Sequence, residues 1–350
     1  MADLYFNEVY TLGAKQLSKT IRKKAKEYSL LTKHFFNNIG TLSKDALIVV
    51  KVLVDGDAVA TQSKRYTEGD YNKENGAYKF LSLYAPYFHN WKDVDPDMLE
   101  QITRDEDPAR PFTPEQRAIA LAAEKLEELR AEQGRSLEMQ AFELISTGKI
   151  FVEGHGKQDF GLPSNIFNDA TSDKIANDPK GTLNWLAKYA KIAKDTGVNG
   201  VDTIVVSKDV FDVIYDDSAV KATLDNRRIN GNDFSFTGED SRGAVYYGHL
   251  SLPGIGMVAL YGYDPTAHAN KIFPAGSVLF GSEGMGSINY GAVLRDNGVA
   301  GLDIPTAGME AEFVYQSTKV IPRTIRVDRQ TSPLCSPNQL GGWCYVKNAV

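Results

Sequence analysis

The sequence predicts an α+β fold in which one helix of unusual length supports strands and a second region alternates helix with strand. Three observations carry this expectation. Apolar residues recur at helical spacing between Thr113 and Gly148; β-rich runs stand near both ends of the chain; and the stretch 181–294 switches repeatedly between the two periods. Strands before and after an α/β stretch predict a second domain inserted into the first. A chain of 350 residues is long enough for about two domains with a substantial core.

The first forty residues contain KQLSKTIRKKAKEYSLLTKHFF, where Leu17, Ile21, Tyr28, Leu31 and Phe35 recur at helical spacing among lysines and arginines. This basic amphipathic arm is either a solvated surface helix or a segment that packs on a partner or faces a polyanion. From Ala46 to Pro86 the pattern is that of a long hairpin: ALIVVKVLV, a Gly/Asp/Asn-rich tip, and AYKFLSLY. An isolated two-stranded hairpin is marginal in water. Ile48, Val50, Val52, Val54, Phe80, Leu81 and Tyr84 therefore need cover from the rest of the chain or from a neighbour.

An acidic link then leads into the helix. Thr113 as N-cap, Pro114 in the first turn and Gln116 three residues after the cap make a capping box. Ile119, Ala122, Leu126, Leu129, Gln133, Leu137, Ala141 and Leu144 mark one stripe over roughly thirty residues, about 45 Å. Such a length suits a spine across a flat molecule, with Gly134 as the expected bend and Gly148 as the stop. KIFVEGHGKQDFGLP follows as a second, tight hairpin. The module after it comprises a helix over 181–194, a buried strand over 203–207, short helices around 210–215 and 218–226, and strands at GAVYYGHL, GIGMVALYGY, SVLFGS and INYGAVL. The tail returns to strands at EAEFVYQST, TIRVDRQT and GWCYVKN.

Composition excludes several function classes. With 42 % hydrophobic and 24 % charged residues, the chain is neither disordered, collagen-like nor disulfide-stapled. Its longest nearly uncharged stretch, 251–265, is broken by two prolines and is too short for a membrane helix. The opening MADLYFNEVYTLG lacks the apolar core of a secretory signal, so a cytoplasmic product is expected. A net charge of −6 argues against a chain built to grip nucleic acid. Cys335 and Cys344 lack metal-site spacing and read as structural thiols that could pair only in an oxidising medium.

No catalytic, cofactor-binding or metal-ligating residues are expected. The chain has no P-loop, HExxH, GxSxG or EF-hand loop. Gly284-x-Gly286 lacks the third glycine of a dinucleotide fingerprint and reads as a turn. His34, His89, His155, His249 and His268 are scattered singly. The acidic cluster Asp93, Asp95, Asp97, Asp105, Glu106 and Asp107 reads as a solvated loop, and Arg227 with Arg228 as a helix-end charge or an anion site.

The order of elements and several strings resemble a known family. EKLEELRAEQGRSLEMQAFELISTGKI, VKATLDNRR, AVYYGHLSLPGIGMVALYGY and VIPRTIRVDRQTSPLCSPNQLGGWCYVKNAV, in this order, are similar to the lambda-type tailed-bacteriophage major capsid protein E family. The resemblance implies the tailed-phage major capsid fold, an α+β architecture. Its parts would be an N-terminal arm over 1–45, an extended hairpin loop and linker over 46–108, a peripheral β domain over 109–170 and 305–350 with a spine helix at 113–147, and an axial α/β domain over 171–304. It also implies no enzyme activity and self-assembly into pentamers and hexamers that form an icosahedral head shell. The implied partners are other copies of the chain, portal and scaffold proteins, a decoration protein, and packaged double-stranded DNA held without sequence specificity, with no membrane involved. The implied location is the virion capsid, assembled in the host cytoplasm. Cys335, Cys344 and a Lys–Asn crosslink match no motif of that family. Two alternatives stand beside it: an encapsulin-like compartment, and a soluble α/β enzyme with its site at the strand ends of 182–294.

Overall fold

The structure is a computed structural model that describes residues 29–55, 77–95, 98, 113–178, 181–197, 200–218, 220, 233–234, 243–264, 266–267, 270–296, 305–308, 310–319 and 324–350. The long helix is its organising element. Helix α1, Pro114–Thr147, runs unbroken for 34 residues, about 51 Å at 1.5 Å per residue. Its first turn is closed by the expected capping box: Gln116 N donates to Thr113 Oγ1 at 3.3 Å and Thr113 N donates to Gln116 Oε1 at 3.0 Å. It stops at Gly148, whose φ of 71° only glycine adopts freely and whose N–H returns to the Leu144 carbonyl at 2.8 Å.

The two halves of α1 bury their stripe against different partners. Ala122, Leu126 and Leu129 pack on Val327 and Val314, and Leu121 packs with Val94 and Ile325. These partners belong to a three-stranded antiparallel sheet in the order Phe313–Lys319, Thr324–Thr331, Phe88–Val94. Lys92 of that sheet reaches Glu128 at 2.8 Å and Glu132 at 2.7 Å on the helix. Further along, Ala141, Leu144 and Ile145 enter the largest apolar cluster, together with Phe35, Phe36, Ile48, Val50, Trp343 and Tyr345. Gly134 does not interrupt the helix, and an added Cβ there would meet nothing within 4 Å. Gly134→Ala is therefore expected to stabilise the folded chain by about 1 kcal/mol in denaturant titrations, since alanine removes the backbone-entropy cost of glycine without a clash. A loss of stability would mean that the helix needs the freedom of glycine here.

The central sheet has seven strands in the order Phe167–Asp169, Cys344–Lys347, Val278–Gly281, Thr203–Val206, Gly256–Gly262, Val245–Leu252, Asp233–Phe234. Thr203–Val206 lies parallel to Gly256–Gly262 and antiparallel to Val278–Gly281, and all four of its residues are buried. A strand covered on both faces reads as a continuous apolar run, which is the pattern TIVV shows. One face is covered by helices α2 (Thr182–Thr196) and α3 (Lys208–Asp216) through Trp185, Leu186, Val210, Phe211 and Ile214. On the other face Val205, Leu279 and Tyr345 join the cluster at the C-terminal end of α1.

The C-terminal strand Cys344–Lys347 pairs with Val278–Phe280 and Phe167–Asp169 inside the seven-stranded sheet. A mixed sheet that needs an edge covered recruits the C-terminal strand, a long-range choice that local periodicity does not encode. The chain's two cysteines therefore sit in different sheets: Cys335 opposite Ile288 and Cys344 opposite Phe280. Both are buried free thiols, and burial raises their pKa, that of Cys344 to about 12.

Candidate assembly surfaces

The described part of the arm is held by a buried carboxylate. Residues Leu31–Phe35 form a π-helical turn and Asn38–Leu42 a strand lying parallel to Gly286–Tyr290. Glu138, fully buried on α1, accepts hydrogen bonds from Leu31 N at 2.7 Å, Thr32 N at 3.0 Å, Thr32 Oγ1 at 2.8 Å and Tyr263 Oη at 2.5 Å. One side chain thus ties the arm, the spine and the end of a central strand. Burial drives its pKa up and outweighs the donors from Tyr263, Thr32 and Leu31, which pull it down. Leu31 and Phe35 are buried, so this end of the arm is core rather than solvated helix. Leu17, Ile21 and Tyr28 lie outside the described residues. At the end of the turn, the space for a Cβ on Gly286 is filled by the Phe36 ring, with the Ser336 carbonyl 2.8 Å away. Gly286→Ala is expected to cost about 1–3 kcal/mol by overpacking and to expose the arm to protease; an unchanged digestion pattern would contradict that placement of Phe36.

The long hairpin takes the expected form, Leu47–Asp55 paired antiparallel with Ala77–Tyr84, and its tip lies outside the described residues. Strand alternation splits its side chains into two sets. Ile48, Val50, Val52 and Leu83 face the core. Leu47, Val49, Tyr78, Phe80 and Tyr84 are exposed, with Val49 at 53 % and Phe80 at 66 %. Lys51 stands over the Tyr78 ring at 3.6 Å. The hairpin base is fixed from the side by the second hairpin, Lys149–Val152 and Gly156–Asp159. There His155 stacks on Tyr84 with ring centroids 3.8 Å apart, and Tyr84 N donates to Gln158 Oε1 at 3.4 Å.

A second exposed face lies on the three-stranded sheet, opposite α1. Trp91, His89 and Tyr315 are neighbours there, and the Arg326 guanidinium lies 3.9 Å from the Trp91 ring. Beneath them Asp328 is buried, with His89 Nε2 and Arg326 Nε each 3.3 Å from its carboxylate. On the helix side, Glu312 binds Arg130 at 2.8 Å and Arg329 at 3.1 Å. Burial works to raise the Glu312 pKa, but these two guanidiniums hold it below the usual carboxylate range.

The residues weighed for chemistry do not converge. His34 bonds Thr203 Oγ1 at 2.9 Å, His155 stacks on Tyr84, and His249 contacts Tyr246, each in a different place. His268, Asp97, Asp105, Glu106, Asp107, Arg227 and Arg228 lie outside the described residues. Gly284, at φ 68°, makes a turn as its spacing suggested. Among the described residues no group of three His, Cys, Asp or Glu side chains is placed to hold a metal, and no helix is long and apolar enough to cross a membrane. Sequence reasoning missed Glu138. Its signal was position: it falls on the buried stripe, three residues before Ala141 and seven before Ile145.

Comparison with known proteins locates this architecture. A crystal structure described as a prophage capsid protein from E. coli CFT073 superposes with a TM-score of 0.65, at 16 % identity, covering 98 % of each chain. The capsid of Ralstonia phage GP4 gives 0.47 at 10 % identity over 94 % of this chain and 95 % of that one. An encapsulin from Synechococcus elongatus PCC 7942 gives 0.48 at 10 % identity, over 96 % and 94 %. No curated protein matches the chain significantly. The prophage likeness shows the tailed-phage capsid fold. A sequence profile described as phage major capsid protein E matches residues 13–348, nearly the whole chain, and on that match the chain belongs to the phage major capsid protein E family, a shell protein of the phage head.

Proposed function

We propose that copies of this chain form pentamers and hexamers that close into an icosahedral shell around double-stranded DNA, assembled in the host cytoplasm without a catalytic step. The observation that carries this is the outer face of the long hairpin, an apolar surface that the described residues leave open. A strand pair with one face on the core and the other on a neighbour makes a heterologous contact, and heterologous contacts close into rings. The parts would be the arm over 1–45, the hairpin loop and linker over 46–108, the peripheral part over 109–170 with 305–350 around the spine helix, and the axial α/β part over 171–304. The net negative chain suits a container whose DNA must later leave, because its 45 acidic residues outnumber its 39 lysines and arginines. Portal, scaffold and decoration proteins are its proposed partners. Size-exclusion chromatography with negative-stain microscopy, on the chain expressed alone and with its neighbouring late genes, tests the reading. Rings, tubes or closed shells are expected; a clean monomer or dimer under every condition would overturn it.

A further inference from the structure

A cavity of about 420 Å³ lies between the described end of the arm and the middle of α1. Lys33 from the arm and Arg130 and Arg135 from the helix line it, and among the described residues no carboxylate does. Arg130 is engaged by Glu312, whereas Arg135 has no ion pair among the described residues. Like charges that converge from two elements repel unless an anion stands between them. Ser29 adds a buried hydroxyl that has no hydrogen-bond partner among the described residues. Such a group is costly to leave unmade and marks a place where a ligand can supply the partner. Phe36, Leu137 and Ile288 complete the lining with an apolar wall.

We propose that this cavity binds a nucleotide, with its phosphate on the cations and its base against the apolar wall. A guanidinium fork donates two hydrogen bonds at once to phosphate oxygens, and a phosphate monoester carries close to two negative charges at neutral pH. Inorganic phosphate would leave the apolar wall unused, and a fatty acid would bring one charge to three cations. A flat base uses both kinds of surface, because it packs on apolar side chains while its π face also accepts a guanidinium. Small-molecule pockets run from about 300 to 1,000 Å³, so this cavity of about 420 Å³ admits one nucleotide and not a run of them. A free nucleotide and an unstacked nucleotide of a single strand share this chemistry, whereas a base inside a duplex is out of reach. Ser29 and Lys33 belong to the arm and Arg135 to α1, so the bound anion also fastens one to the other.

The test titrates the full-length chain calorimetrically with dAMP, and with deoxyadenosine and inorganic phosphate as the two halves of that ligand. Saturable one-to-one binding of dAMP is expected, at least about tenfold tighter than either half, the scale of one charge-assisted hydrogen bond. Arg135→Gln should weaken dAMP by about tenfold or more on the same scale, while Lys157→Gln, exposed on the second hairpin, should leave it unchanged. Gly134→Glu sets a carboxylate in open space on the cavity wall and should abolish binding, and it serves where Arg135→Gln does not fold. Saturating dAMP should also slow proteolysis near residue 29 at least about threefold. Competition by a single-stranded oligonucleotide but not by its duplex supports a strand as the source, and competition by neither supports the free nucleotide. No saturable binding, binding unchanged by Arg135→Gln or by Gly134→Glu, inorganic phosphate that binds as tightly as dAMP, or a duplex that competes as well as the single strand would overturn the proposal.

Discussion

Glu138→Ala is expected to cost about 3–5 kcal/mol, a large share of the roughly 5–15 kcal/mol that holds a typical domain folded. The substitution leaves the Leu31 and Thr32 amides and the Tyr263 hydroxyl without the oxygens they donate to, and it opens a cavity inside the spine interface. Glu138→Gln keeps the shape and one acceptor oxygen, so its cost should be nearer 1–2 kcal/mol. Guanidinium unfolding of the unassembled subunit reads both values. Limited proteolysis reads where the damage lies, since cuts near residue 29 should appear early in Glu138→Ala and late in wild type. An alanine variant that unfolds like wild type and keeps its arm protected would show that the carboxylate holds nothing.

The same group has a pH signature whose sign follows from burial. Its pKa in the folded chain lies above the ordinary 4.5. As pH rises from 4.5 towards the raised value, the unfolded chain has lost a proton that the folded chain keeps. The contribution of Glu138 to stability is therefore fully present below 4.5, falls through that window and is flat beyond it. Glu128, Glu312 and Asp173 behave oppositely: their lowered values add stability above the unfolded pKa and lose it in acid. The wild-type curve is thus a sum of opposed slopes. Subtracting the Glu138→Gln curve isolates the falling one, and a difference that rises with pH would contradict the assignment.

How much of this was legible in the sequence depended on the range of the interactions concerned. The spine helix, its Thr113–Gln116 box and its Gly148 stop were readable because capping and amphipathic spacing are settled within a few residues. The hairpin 47–84 and the buried strand 203–206 were readable for the same reason. Asn38–Leu42 and Pro333–Pro337 were not, since NIGTL and PLCSP carry weak strand patterns and are strands only because Gly286–Tyr290 lies between them. The place of Cys344–Lys347 in the central sheet, and the meeting of Glu138 with the arm 106 residues earlier, are likewise tertiary facts. At Gly134 the helix continues without a break.

Phe80→Asp is expected to abolish or severely weaken shell assembly while leaving the subunit intact. Phe80 is 66 % exposed and its cross-strand partner Lys51 points the same way, so the change removes little packing within the chain. Subunit stability should move by no more than about 0.5 kcal/mol, the usual range for surface sites. Against a neighbour the position is different, because an aromatic anchor lost from an interface costs about 2 kcal/mol or more and a buried aspartate adds a desolvation penalty. Even 2 kcal/mol per contact is about a thirtyfold change in each association constant. Every subunit of a ring makes that contact, so the penalties compound in a closed shell. The protein concentration needed for assembly, followed by light scattering, should therefore rise at least about thirtyfold, and Val49→Asp on the same face should behave alike. Ile48→Asp should instead lower the stability of the subunit itself, because that side chain faces the core. The contrast between adjacent residues separates the two faces: if Phe80→Asp assembled normally while Ile48→Asp unfolded, the outer face would be solvent in the shell and the neighbour would have to be held elsewhere.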